Sequence, residues 1–136
     1  MSQDFLNLSR FSGWFHGLLR IATALTFISH GSAKLLGFPS VPGMPSPPLL
    51  SLMGFAGVLE LGGGLLVLIG LFTRPVAFLL AGEMAVAYWT VHARQGLIPL
   101  TNMGEDAYLF CFIFLWLAAA GPGALALDGK RGAAAA

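Results

Sequence analysis

Four long apolar runs, residues 14–36, 49–72, 75–93 and 104–120, constrain this chain more than any other feature of its sequence. Crossing about 30 Å of hydrocarbon takes about 20 helical residues, and a helix satisfies its backbone polar groups within the segment. The four runs take up most of the 136 residues. The expected fold is an all-α membrane protein, a four-transmembrane-helix antiparallel bundle. It divides into an N-terminal cytoplasmic segment (1–13), a four-helix transmembrane domain (14–128) and a C-terminal cytoplasmic tail (129–136). No stretch is left over for a soluble catalytic domain.

Composition narrows the class further. Charged residues make up 10% of the chain and hydrophobic residues 57%, whereas a soluble domain is roughly 25% charged. A net charge of +1 supplies no basic patch for nucleic acid. The first run is too long for the apolar core of a signal peptide, and Asp4 offsets Arg10 before it, so it is expected to be retained as a helix. Cys111 is the single cysteine, which excludes an internal disulfide and a CxxC redox pair. It reads as a small buried apolar residue.

Loop charges give an orientation. Arg10, Arg74, Lys130 and Arg131 fall at one set of segment ends, while Lys34 and Arg94 stand at the other beside Glu105 and Asp106. The positive-inside rule then predicts both termini in the cytoplasm. Of the two outward connections, Gly37 to Pro48 holds five prolines and is expected to be extended or turn-like. The other runs into Asn102-Met103-Gly104-Glu105, which has the spacing of a capping box with Asn102 as N-cap.

Arg20, Glu60 and Glu83 lie in the middle of the apolar runs. A charge at that depth costs about 3 kcal/mol on insertion scales, so it persists where it is paired, hydrated or used. Helical spacing places His16, Arg20, Thr23, Phe27, His30 and Lys34 on one stripe of the first helix. In the second helix Glu60 lies between Gly57 and Gly64, with Gly62 and Gly63 beside it; small residues there admit a close neighbour, either a packed backbone or a flat ligand. The third helix puts Glu83, Ala87, Thr90 and Arg94 on one stripe.

Rise along the helices puts Arg20, Glu83, Glu60 and His30 at about 9, 13, 20 and 24 Å from the cytoplasmic edge. This order predicts a buried ladder, Arg20 to Glu83 to Glu60 to His30, ending near Lys34 and His92. Two readings fit it: an ion-pair network that fixes helix register, or a polar cavity, open outward, that moves protons or holds a polar head group. No His-x-x-His or Glu-x-x-His motif occurs, so neither metal nor haem is predicted.

The run Ala87-Tyr88-Trp89-Thr90-Val91-His92-Ala93-Arg94-Gln95-Gly96-Leu97-Ile98-Pro99-Leu100-Thr101-Asn102-Met103-Gly104-Glu105 resembles the DoxX family pattern A-Y-x-x-V-H-x-x-Q-G-x-x-P-x-x-N-x-G-E. Arg20, His30-Gly31, Lys34-Leu35, the glycines around Glu60 and Leu71-Phe72-Thr73-Arg74 extend the likeness over residues 14–128. The resemblance implies a bacterial or archaeal inner-membrane protein linked to quinone oxidoreduction, with relatives that include the membrane subunit of a thiosulfate:quinone oxidoreductase. It marks Arg20, His30, Lys34, Glu60, Glu83, His92, Gln95, Asn102 and Glu105 in this chain. Glu60 and His30 then carry proton transfer, and the other seven contribute to the quinone site. His92 has a second reading as an anchor for the outer loop.

No dithiol, haem pair or flavin motif supplies electrons, so a quinone-interacting subunit needs a protein partner or a small reductant. An accessory or assembly subunit of a larger redox complex is the alternative, a proton-coupled carrier the third. The expected partners are the lipid bilayer, a quinone or other lipophilic redox molecule, and another protein or a second copy of the chain.

Overall fold

Glycines and prolines decide where the rods of this molecule start and stop. The computed structural model describes residues 7–44 and 46–134, and among these every regular element is helical. After a single 3-10 turn at Ser9–Phe11, helix α1 runs Ser12–Leu36 and stops at Gly37, whose φ of 68° ends a helix without a Cβ clash. Helix α2 spans Leu52–Ile69. Ser51 starts it by accepting the Gly54 N–H at 3.0 Å, and Gly70, at φ 67°, ends it. Helix α3 spans Thr73–Gln95, with Pro75 in its first turn, where a missing N–H leaves no bond unmade. Helix α4 spans Glu105–Ala120, and a short α5 covers Leu127–Ala134. Residues 127 and 128, expected to close the membrane domain, thus open a helix of their own.

The rods run alternately up and down, in two closely packed pairs, α1 with α2 and α3 with α4. A glycine seam permits the first pairing. A Cβ on Gly31 would meet the Leu61 nitrogen at 2.5 Å and the Gly57 oxygen at 2.9 Å, so the α1 and α2 backbones touch there. Gly57 faces Lys34 and Leu35, and Gly64 faces Ile28, as expected for small residues at a helix seam. Gly62 faces open space and takes no part. Aromatic packing joins the pairs: Phe27 of α1 meets Phe114 and Phe110 of α4 at 4.8 and 5.2 Å between ring centres.

Neither α2 nor α3 is a uniform α-helix. Leu59–Gly63 and Tyr88–His92 are π-helical. A π turn inserts a residue and rotates everything beyond it, and such turns collect at functional positions. On α3 the expected stripe is not the buried face: Thr90 and Arg94 are exposed, and Ala77, Leu80, Ala81, Met84 and Tyr88, which share a different face at the same helical spacing, are buried instead.

The exterior is apolar almost all round. Trp14, Leu25, Phe55, Phe78, Phe112 and Trp116 are each more than half exposed, a surface a monomer in water could not sustain. By length and composition α2 and α3 can each cross a membrane. α1 is longer, but carries His16, Arg20, His30 and Lys34, and α4 has 16 residues, about 24 Å of rise.

Candidate functional site

Three charged side chains from three helices lie in the interior. Lys34, in the last turn of α1, reaches Glu60 with Nζ 2.5 Å from Oε1, and the two side chains are 13% and 4% exposed. Glu60 stands in the π turn of α2, against whose backbone Gly31 packs. Glu83 of α3 lies within electrostatic reach of both Glu60 and Lys34. Three carboxylate oxygens are buried without a hydrogen-bond partner among the described residues: Glu60 Oε2 and both oxygens of Glu83. A buried acceptor without a donor costs about 1–3 kcal/mol, and more when charged. This is a cluster of one ammonium and two carboxyl groups that can hold a proton or accept hydrogen bonds from a ligand.

The expected ladder is corrected at its two end links, Arg20 to Glu83 and Glu60 to His30. Arg20 does not pair with Glu83. Fully buried, it donates from Nε to Pro122 O (2.8 Å), from Nη1 to Val67 O (2.7 Å) and Leu68 O, and from Nη2 to Ala124 O (3.0 Å) and Leu125 O (2.8 Å). All five guanidinium N–H groups are spent on carbonyls. Val67 and Leu68 lie in the last turn of α2, where carbonyls lack helical partners and the helix dipole is negative, so a cation is held there in preference to a carboxylate farther along. Glu60, in turn, is met by Lys34 rather than by His30. His30 is half-buried, with Nε2 4.0 Å from Asp106 and its ring edge-on to Phe110.

The residues expected around the loop between α3 and α4 build that loop. His92 donates from Nδ1 to Asn102 O at 3.1 Å, which is its anchoring role. Asn102, fully buried, donates to Gly96 O (2.7 Å) and the Tyr88 hydroxyl (3.3 Å), and its Oδ1 accepts the Gly104 N–H at 2.8 Å. It therefore folds the turn before α4 without being the N-cap. Gly104 occupies that position, no side chain caps the helix, and the capping box is not formed. A Cβ on Gly104 would lie within 3 Å of Asn102, His92 and Tyr88, so the closure requires glycine. Gln95 and Glu105 are exposed at this end.

Two surface cavities lie elsewhere. One, about 640 Å³, runs between the start of α1 and the end of α4 beside His16 and Trp116; the other, about 250 Å³, follows the α1–α4 seam past Thr23, Thr26 and Asp106. Glu60 and Glu83 line neither.

At the opposite end of the rods, two residues take roles that the sequence did not assign to them, Asp128 and Arg74, the latter expected there only as an orienting charge and a family match. Asp128, in the first turn of α5, accepts the N–H groups of Phe72 and Thr73 at 2.9 and 2.8 Å, where α3 begins. Arg74 donates to the carbonyls of Ala118, Ala119 and Ala120 at the end of α4. Each puts its charge at the helix end that favours it. The signal was present in the position of Arg74 directly before Pro75; for Asp128 nothing local marked it.

The comparisons with known proteins agree with this geometry in extent. The DoxX family model matches residues 16–93, a span holding Arg20, Lys34, Glu60 and Glu83. An uncharacterized protein of Haemophilus influenzae is 43% identical over 91% of this chain and 96% of its own length. Inner membrane protein YphA of Escherichia coli is 32% identical over 82% of the chain and 86% of its own length. "Putative oxidoreductase CatD" of Bacillus subtilis is 35% identical over 82% of each chain. No solved structure matches significantly. With a family model covering more than half of it and relatives aligned over nearly their whole lengths, this apolar, all-helical chain is a membrane protein of the DoxX family.

Proposed function

We propose that the chain is a quinone-interacting subunit of a membrane oxidoreductase, and that Lys34, Glu60 and Glu83 form its head-group and proton site. All four rods α1 to α4 then span the bacterial inner membrane with both termini in the cytoplasm, as the loop charges favour. The observation that carries the reading is the set of three buried carboxylate oxygens without donors beside a buried ammonium. The donor set suits a quinone head group in both redox forms. Unpartnered carboxylate oxygens accept from hydroxyls, and the Lys34 ammonium, with one N–H on Glu60, has two left for a carbonyl. The name of CatD points the same way.

When bound, a reduced head group would supply two electrons and two protons. Lys34 holds Glu60 in position through the Nζ–Oε1 contact. Glu60 and Glu83 hold protons at their buried oxygens and pass them on, and the side chains packed around them limit water. His30, one turn before Lys34 and near Asp106, passes protons to the outer face. The chain's side chains offer no site for the electrons, which go to a partner subunit; Arg20, His92 and Asn102 hold the scaffold, and Gln95 and Glu105 lie at the outer rim.

In native membranes or with its co-purified partner, the full-length Glu60→Gln protein should lose quinone-linked turnover by about a hundredfold, the scale of a lost acid–base group. His30→Ala should slow turnover with a smaller effect. Unchanged turnover in both would reject the redox reading, and a stable lone protein that never co-purifies with a partner would reject the subunit reading.

A further inference from the structure

The charges in the buried cluster do not balance. One ammonium, on Lys34, faces two carboxyl groups, and it is committed at 2.5 Å to Glu60 Oε1. Glu83 has no counter-ion of its own, and both of its oxygens are buried without a hydrogen-bond donor among the described residues. The cations that could serve it are engaged elsewhere. Arg20 spends all five N–H groups on carbonyls, Arg74 lies on the end of α4, and His30 stands by Asp106. Arg94 is exposed. From α4, the side chains buried against this core are Ala107, Phe110, Phe114 and Leu117, which bring no charge.

A carboxylate buried without partner or donor is relieved most simply by taking up a proton. The neutral acid gains an O–H donor, and the same cluster holds an unmet need in Glu60 Oε2, a buried acceptor without a partner among the described residues. We infer that Glu83 is a bound-proton site: in the resting protein it carries a proton shared with Glu60, so that the cluster reads Lys34 ammonium, Glu60 carboxylate, Glu83 carboxylic acid. Lys34 then satisfies one oxygen of Glu60 and Glu83 the other. The site binds one proton before any ligand arrives, and Glu83 is the group that gives it up or takes it back. This deepens the proposed proton site but does not depend on a quinone.

Infrared spectroscopy of the full-length protein in lipid nanodiscs, at neutral pH and with no quinone present, tests it. The wild type should show the carbonyl stretch of a protonated carboxylic acid, shifted by deuterium exchange. Glu83→Gln should lose the band, and Glu60→Gln should keep it at a shifted frequency because the acceptor has changed. Absence of the band from the wild type would overturn the inference even if no variant folds, as would a band that Glu83→Gln leaves untouched. A protonated Glu83 in a protein that binds no quinone would sink the redox reading and leave this one standing.

Discussion

Arg20→Met should destabilise the protein more than any other single substitution, by about 4–5 kcal/mol, with a matching fall in the melting temperature in detergent. Its guanidinium donates to five carbonyls drawn from the end of α2 and the 122–125 segment, and among the described residues only Val67 O of these has a backbone donor as well, the Gly70 N–H at 3.1 Å. The residue is fully buried, so water cannot replace it without opening the helix ends. Arg20→Lys should recover little, because three donors on a point charge cannot span acceptors that a planar fork reaches. A melting temperature that either substitution leaves unchanged would remove Arg20 from the account as the tie between α1, α2 and the segment after α4.

The second large effect is at the Lys34–Glu60 pair, and it is asymmetric. Lys34→Met leaves Glu60, 3% exposed, as a buried charge without its counter-ion, for which the usual cost is about 3–5 kcal/mol. Glu60→Gln leaves Lys34, whose side chain is 13% exposed in the last turn of α1 and can turn its head toward the outer surface, so the loss should be smaller. The double variant Lys34→Met/Glu60→Gln should melt close to the wild type, because it removes both charges at once. Thermal unfolding of the four proteins gives the coupling directly; additive losses would mean that the two residues do not act as a pair.

Much of the architecture was legible because it rests on apolar length and helical period. The four runs became four rods, with no end displaced by more than three residues, and Gly57 and Gly64 beside Glu60 do form a close helix seam. What could not be read has identifiable causes. Arg20 chose backbone carbonyls, which carry no letter in a sequence, over the carboxylate that depth arithmetic offered it. On α3 the polar residues mark one face, but the face that packs is the one of Ala77, Leu80, Ala81, Met84 and Tyr88, so Thr90 and Arg94 turn outward.

The longest run of family pattern, residues 87–105, folds the outer loop through Tyr88, His92, Asn102 and Gly104, whereas the charged cluster draws on residues scattered through α1, α2 and α3. Lys34 was placed at the end of the ladder, and its reach was underestimated. A lysine in the last turn of a helix can extend its four-carbon stem to a neighbour that backbone levels place elsewhere.

The central claim is that Lys34, Glu60 and Glu83 are where a ligand is met, and the affinity of the full-length protein for a short-chain quinol tests it most directly. The measurement compares the wild type in nanodiscs with Lys34→Met/Glu60→Gln, the variant expected to remain folded. A loss of binding of about tenfold or more, the worth of one or two charge-assisted hydrogen bonds, is the predicted result at an unchanged melting temperature. Equal affinity in the two proteins would contradict it.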